Sequence, residues 1–186
     1  MENEELILLI DELKTLPKEN EWVEFKSGNA TTNEKFGQYM SAISNAACIN
    51  NQTFGYLIFG INDSTHQIEG TNFKFKNRKE GNEELELWLR RLLHPSIKFQ
   101  FFSCQYKKCY LEIFKIPAAS GEPTHFKKIP YIRFDSSLTD LRNYPQHIKA
   151  IYNSQEDWSA GIIEKATINN LDDNTINEII AKVKIT

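Results

Sequence analysis

Three carboxylates fall within the six residues from Glu19 to Glu24, in the segment Glu19-Asn20-Glu21-Trp22-Val23-Glu24-Phe25-Lys26. Acids this close repel one another and stay charged beside a cation or basic side chains. Hard divalent ions favour such clusters of oxygen ligands. A further acid, Asp63, directly follows the apolar run 54–61, and loops at strand ends often carry functional groups. A plainer reading fits the same residues: a solvated strand end and an ordinary Asn62-Asp63 turn. Geometry constrains the cluster. Glu19 and Glu24 are five apart, so on one continuous strand they would face opposite ways. They converge only if Glu19 lies on a loop before the strand, which Pro17 and Asn20 favour. Lys26 shares the face of Glu24, either as a phosphate contact or as a surface counter-ion contributing little.

Basic residues form two further groups. Lys127, Lys128, Arg133 and Arg142 lie on or near a late strand. Lys74, Lys76, Arg78 and Lys79 interleave with Phe73 and Phe75, a pattern that suits backbone contact plus base stacking or equally a solvated loop with two core phenylalanines. Other chemistries are missing from the sequence. It has no glycine-rich phosphate loop, no dinucleotide fingerprint and no Ser in a nucleophile elbow. The four histidines, His66, His94, His125 and His147, lack zinc-site spacing. Cys104 and Cys109 flank an expected hairpin, where a packed thiol pair is the ordinary outcome.

Elements that must position these groups follow from periodicity. A helix over 3–16 carries Leu6, Leu9, Ile10 and Leu13 at helical spacing and stops at Pro17. Residues 22–26 alternate as a strand. A helix over 33–49 buries Phe36, Met40, Ile43 and Ala47, capped by Thr32 or Asn33. Residues 54–61 read as a central strand, 67–70 as a short return strand and 83–93 as a helix stopped by Pro95. A hairpin is expected over 97–104 and 109–116, then a strand at 129–134, a helix from 144 to 153 and a last helix from about 173. Trp88 and Trp158 are assigned to packing and to a tail or partner surface. The class predicted is α+β, a single domain with helices packed on a mixed sheet.

Bulk properties narrow the function. The 186 residues are 25% charged and 40% apolar, an ordinary globular composition. The net charge of −3 disfavours a protein that merely coats nucleic acid, so any such contact must use a local basic patch. Three cysteines and no secretory leader suggest a reducing, cytoplasmic setting. The run Leu6–Ile10 is too short to span a bilayer.

Glu-x-x-x-x-Glu-Phe-Lys from Glu19, then Ala42-Ile43-Ser44-Asn45 in a helix, then Gly55-Tyr56-Leu57-Ile58-Phe59-Gly60-Ile61-Asn62-Asp63, resemble the Schlafen AlbA-type domain. Tyr131-Ile132-Arg133-Phe134 fits its later tyrosine–arginine strand. Four pieces in order, over roughly 15–140, make the resemblance fairly specific. It divides the chain into an N-terminal helix (1–17), the Schlafen AlbA-like domain (18–143) and a helical extension or linker (144–186) leading to a region beyond this sequence.

The resemblance implies a nucleic-acid-binding module, the N-terminal DNA-binding part of a bacterial transcriptional regulator, with DNA or RNA as partner. A homodimer and a C-terminal ATP-binding or winged-helix region are further expectations. Other members of the family are RNA endonucleases in which two glutamates and an aspartate hold Mg²⁺ or Mn²⁺. Those catalytic and metal-ligating positions fall on Glu19, Glu24 and Asp63. The nucleic-acid contacts expected for the binding module are Lys26, Lys127, Lys128, Arg133 and Arg142. Two departures stand out: the usual Gly-Gly turn is reduced to Gly55, and Asn62 replaces the acid that often precedes Asp63. A third class, a protein–protein interaction domain, is supported by the acidic balance and the tail. The net charge, the fragment-like end and the missing acid weaken a free-standing nuclease, and so favour the binding module.

Overall fold

The computed structural model describes residues 2–17, 20–28, 31–134 and 137–154, all within one compact unit spanning 1–155. Its elements run α1 (Asn3–Lys14), β1 (Val23–Lys26), α2 (Asn33–Ile49), β2 (Phe54–Phe59), β3 (Lys79–Glu80), β4 (Glu83–Glu84), α3 (Leu85–Leu92), β5 (Leu93–His94), β6 (Gln100–Tyr106), β7 (Cys109–Pro117), β8 (His125–Phe126), β9 (Ile129–Phe134), β10 (Ser137–Asp140) and α4 (Pro145–Tyr152). Glu19, Trp158 and the helix expected from 173 lie outside the described residues.

The first sheet has the order β1-β2-β7-β6, with β1 parallel to β2 and the other pairs antiparallel. Its two faces carry two cores. On one face Leu6, Ile10 and Leu13 of α1 pack on Val23, Phe25, Ile58 and Ile113. On the other, Phe36, Met40 and Ile43 of α2 meet Leu57, Phe59 and Phe114, with Leu85, Trp88 and Leu89 of α3 beside them. The alternation holds over β1, where Val23 and Phe25 face α1 and Glu24 and Lys26 the other way, but Trp22, expected on the Glu24 face, lies before the strand and packs with the α1-side core.

The α+β class with a mixed sheet stands, but the sheet membership differs from the expectation. Residues 129–134 do not join the first sheet. They lie in a second, antiparallel sheet of order β10-β9-β8-β5, which packs against α2. Helix α2 is thus enclosed by both sheets, and its core is buried on nearly every side. This explains why Ser41, Ser44 and Asn45, fully buried, sit on what would otherwise be its wet face. Ser41 donates to the Thr124 carbonyl at 2.6 Å and accepts from the Tyr131 amide at 3.0 Å. Asn45 donates to the carbonyls of Thr124 and Tyr131 and accepts from the Thr124 amide, all within 2.7–2.8 Å. Buried polar groups must be paired this way or destabilise the fold. Gly37 sits where α2 meets β8; an added Cβ would come within 2.2 Å of the Phe126 ring.

Two local readings are also revised. The short strand expected at 67–70 is a turn with one bridge, Ile61 to Ile68. The β6–β7 hairpin is tighter than expected, with Tyr106 opposite Cys109 and only Lys107-Lys108 at the turn. Cys104 consequently pairs across from Leu111 rather than Cys109, and all three cysteines are free.

Candidate functional site

Within the acidic segment, Glu24 belongs to a structural ion network. Glu24 is buried on β1, and its carboxylate is held by both Lys26 and the guanidinium of Arg133 on β9. Burial lowers the pKa of the Lys26 ammonium, but the charge of Glu24 and hydrogen bonds to Glu24 and Tyr39 outweigh it and leave it raised. The Lys26 ammonium lies 4.8 Å from the centre of the Tyr39 ring. Arg133 is itself buried, and its Nη1 donates to the backbone carbonyls of Asn20, Glu21 and Val23 at 3.0–3.3 Å. Thus Arg133 does not present its charge to solvent, as expected of a phosphate contact. It is turned inward because the second sheet lies over the entry to β1, where an edge strand has carbonyls to satisfy.

Asp63 sits apart from this network. Asn62 builds the turn: its Oδ1 accepts from the amides of Ser64 and Thr65, both at 3.0 Å, which leaves Asp63 exposed. The turn is anchored through His66, whose ring is 4.7 Å from that of Phe25 and whose Nδ1 is 3.1 Å from the Lys14 carbonyl oxygen. Those contacts are on the α1 face, whereas Glu24 faces α2. Among the described residues no group of three His, Cys, Asp or Glu side chains is arranged to hold a metal. Glu24, already neutralised by two cations and on the other face, does not fit a divalent ion shared with Asp63. Glu19 cannot be placed beside them, since it lies outside the described residues.

The basic candidates separate by exposure. Phe73 and Phe75 are buried in the core with stacked and edge-on aromatic neighbours, so the Phe–Lys alternation at 73–76 is core against surface, not a stacking platform. Arg78 donates to the Thr31 carbonyl at 3.2 Å, and Lys79 pairs with Glu84 at 2.8 Å. Arg142 holds Asp140 in a two-donor pair through the Nε and Nη2 edge of its guanidinium, and that hydrogen bonding draws the Asp140 pKa down. Lys127 and Lys128 differ from these. They form the two-residue turn between β8 and β9, with Phe126 opposite Ile129, and both are exposed. Their φ angles are +50° and +67°, a region that costs a non-glycine residue roughly 1 kcal/mol or more. Tight hairpin turns of this kind favour Asn-Gly, so two lysines here are an anomaly of sequence. Lys127 reaches Glu34 across a surface ion pair; Lys128 has no ion-pair partner among the described residues.

Sequence reasoning missed Lys107-Lys108, a second exposed hairpin tip with Lys107 at φ +54°. It also missed Glu112, buried on β7 and receiving a hydrogen bond from the Tyr110 hydroxyl at 2.5 Å. Burial pushes the Glu112 pKa up against the hydrogen bonds and the charge of Lys74. The Lys-Lys pair at 107–108 was a legible signal; nothing marked Glu112 beyond an acid in an apolar strand.

Two antiparallel-rich sheets enclosing one helix, with a second helix on the outer face, define an α+β domain of the open-sheet kind. The model of the Schlafen, AlbA_2 family matches residues 19–142, and the chain belongs to that family. Among solved structures it is similar to the DIP2311 protein from Corynebacterium diphtheriae, at 16% identity and a TM-score of 0.50. That match covers 98% of this chain and 35% of the other, so this chain spans about a third of its length. It is also similar to the N-terminal domain of a RecG-related protein from Nitrosomonas europaea, at 17% identity and a TM-score of 0.44, covering 70% of this chain and 87% of that one. No curated protein matches. No helix among the described residues is long and apolar enough to cross a membrane.

Proposed function

We propose that this chain is a nucleic-acid-binding module whose primary contact is the Lys127-Lys128 hairpin tip. The single observation behind the reading is that two exposed lysines occupy a turn disfavoured for their residue type, Lys128 with no ion-pair partner among the described residues and Lys127 in an exposed pair with Glu34. Strain held in an exposed turn implies a use for it. Membership of the Schlafen AlbA_2 family supports the same reading. Lysines at such a tip would neutralise phosphates irrespective of sequence. A place at the N-terminus of a bacterial transcriptional regulator follows from the family resemblance and forms part of the proposal. Lys26, whose partner Glu24 is buried, and Arg142, which holds Asp140 through two donors, would contribute weakly, whereas Lys127 has only to exchange the exposed Glu34 for a phosphate. A gel-shift assay with labelled duplex DNA and with tRNA, in Mn²⁺ or in EDTA, tests the reading. Retarded, uncleaved nucleic acid in both media is the expected result; no retardation at low salt contradicts it.

A further inference from the structure

Beside the lysine tip lies a groove of about 710 Å³ lined by Arg91, Leu92, His94, His125, Lys127 and Lys128. Its construction follows from the strand pairing. Strand β5 runs antiparallel to β8 with His94 directly opposite His125, and cross-strand partners share a face. Their ring centres are 6.5 Å apart at an interplanar angle of 45°. The His125 Nδ1 lies 3.3 Å from the His94 carbonyl oxygen. The Lys127 amide donates to the Leu92 carbonyl at 3.1 Å, tying the end of α3 to the turn. The walls are largely apolar, which for long cationic side chains means their methylene stems. Every titratable side chain on the wall is basic. The acids that touch this group, Glu83 on Arg91 and Glu34 on Lys127, do not line the groove.

We propose that this groove takes one unpaired nucleotide of a single-stranded nucleic acid. The base would lie against the His94 and His125 rings and Leu92, and its phosphate on Lys127, Lys128 and Arg91. Three observations meet in that ligand. The volume is that of a small-molecule site. Apolar walls with two imidazole rings suit a flat, weakly polar group, as aromatic platforms do for unpaired bases. The surrounding positive side chains demand an anion attached to that group. A duplex keeps its bases stacked inward and cannot place one in a concave site without extruding it. The proposal rests on the nucleic-acid reading above and adds strand state and the residues that sense it.

Two measurements test it: imidazole resonances of His94 and His125 on titration with a short oligo(dT) or with duplex DNA of the same length, and affinities by anisotropy. Oligo(dT) should move both sets of resonances, and the duplex should leave them in place. His94→Ala with His125→Ala should weaken oligo(dT) binding by about tenfold or more and leave duplex binding unchanged. Neither ring is buried, so the melting temperature should hold. Unmoved resonances, or an unchanged affinity in the histidine variant while Lys127→Ala with Lys128→Ala still weakens binding, overturn the groove and leave the module standing. Loss in neither variant overturns both. Thymidine monophosphate binding as tightly as oligo(dT) would make the groove a free-nucleotide site and overturn the single-strand assignment.

Discussion

Arg133 and the Lys127-Lys128 pair belong to one hairpin, and read along the chain they look alike: basic groups on a late strand. In space they do opposite work. Arg133 is buried against Glu24 and three backbone carbonyls and fastens the second sheet to the first. The two lysines stand exposed on a turn that their residue type disfavours. A positive charge is available to a phosphate where the fold leaves it unspent, as at Lys128, or spends it only on an exposed acid, as Lys127 does on Glu34. Removing the first kind should cost stability, and removing the second should cost function.

The largest effect is expected at the interior pair. Arg133→Met leaves the buried Glu24 carboxylate with Lys26 alone and three backbone carbonyls without their donor, and should lower unfolding free energy by roughly 3 kcal/mol in urea titrations. Adding Glu24→Gln should recover part of that loss, because the half-paired buried charge goes with it, and a double-mutant cycle measures the coupling. A loss under 1 kcal/mol for Arg133→Met would erase the contrast between the two regions.

A smaller effect of opposite sign is expected at the tip. Lys127→Asn with Lys128→Gly supplies the residues that a tight hairpin turn favours, and should raise unfolding free energy by roughly 1–2 kcal/mol. Nucleic-acid affinity should fall in the same variant. Equal stability would show that the lysines carry no strain.

The buried acid without a guanidinium sharpens the comparison further. Because burial raises the Glu112 pKa, the folded protein keeps a proton that the unfolded chain has lost, over the window between the ordinary carboxylate value and the raised one. Its stabilising share is complete below that window and fades as pH rises through it. Glu112→Gln should therefore raise the melting temperature at neutral pH, by less than the changes above, and flatten the decline from acid to neutral. An unaltered pH profile would assign that decline elsewhere.

Much of this fold was legible because periodicity speaks directly to local structure. The helix read over 33–49 has those same bounds, and the strand at 129–134 is where alternation placed it. Periodicity is silent on which strands share a sheet, so the second sheet over α2 went unseen. With it went the reason for Ser41, Ser44 and Asn45, and the inward turn of Arg133. Half of the site was legible for the same reason. Lys127 and Lys128 could be picked out as basic residues, but their positive φ is set by the two-residue spacing between paired strands, which appears only once β8 and β9 are in register. His94 and His125, thirty-one positions apart, gain meaning only through the pairing of β5 with β8.

The most direct test of the Lys127-Lys128 tip is the salt dependence of its binding. Each phosphate-neutralising lysine contributes about 0.7 to the slope of log affinity against log salt for a single strand. Oligo(dT) affinities of the native chain and of Lys127→Ala with Lys128→Ala, measured across a salt series, should give slopes shallower by about 1.4 in the variant. Parallel lines would contradict the tip as the phosphate contact.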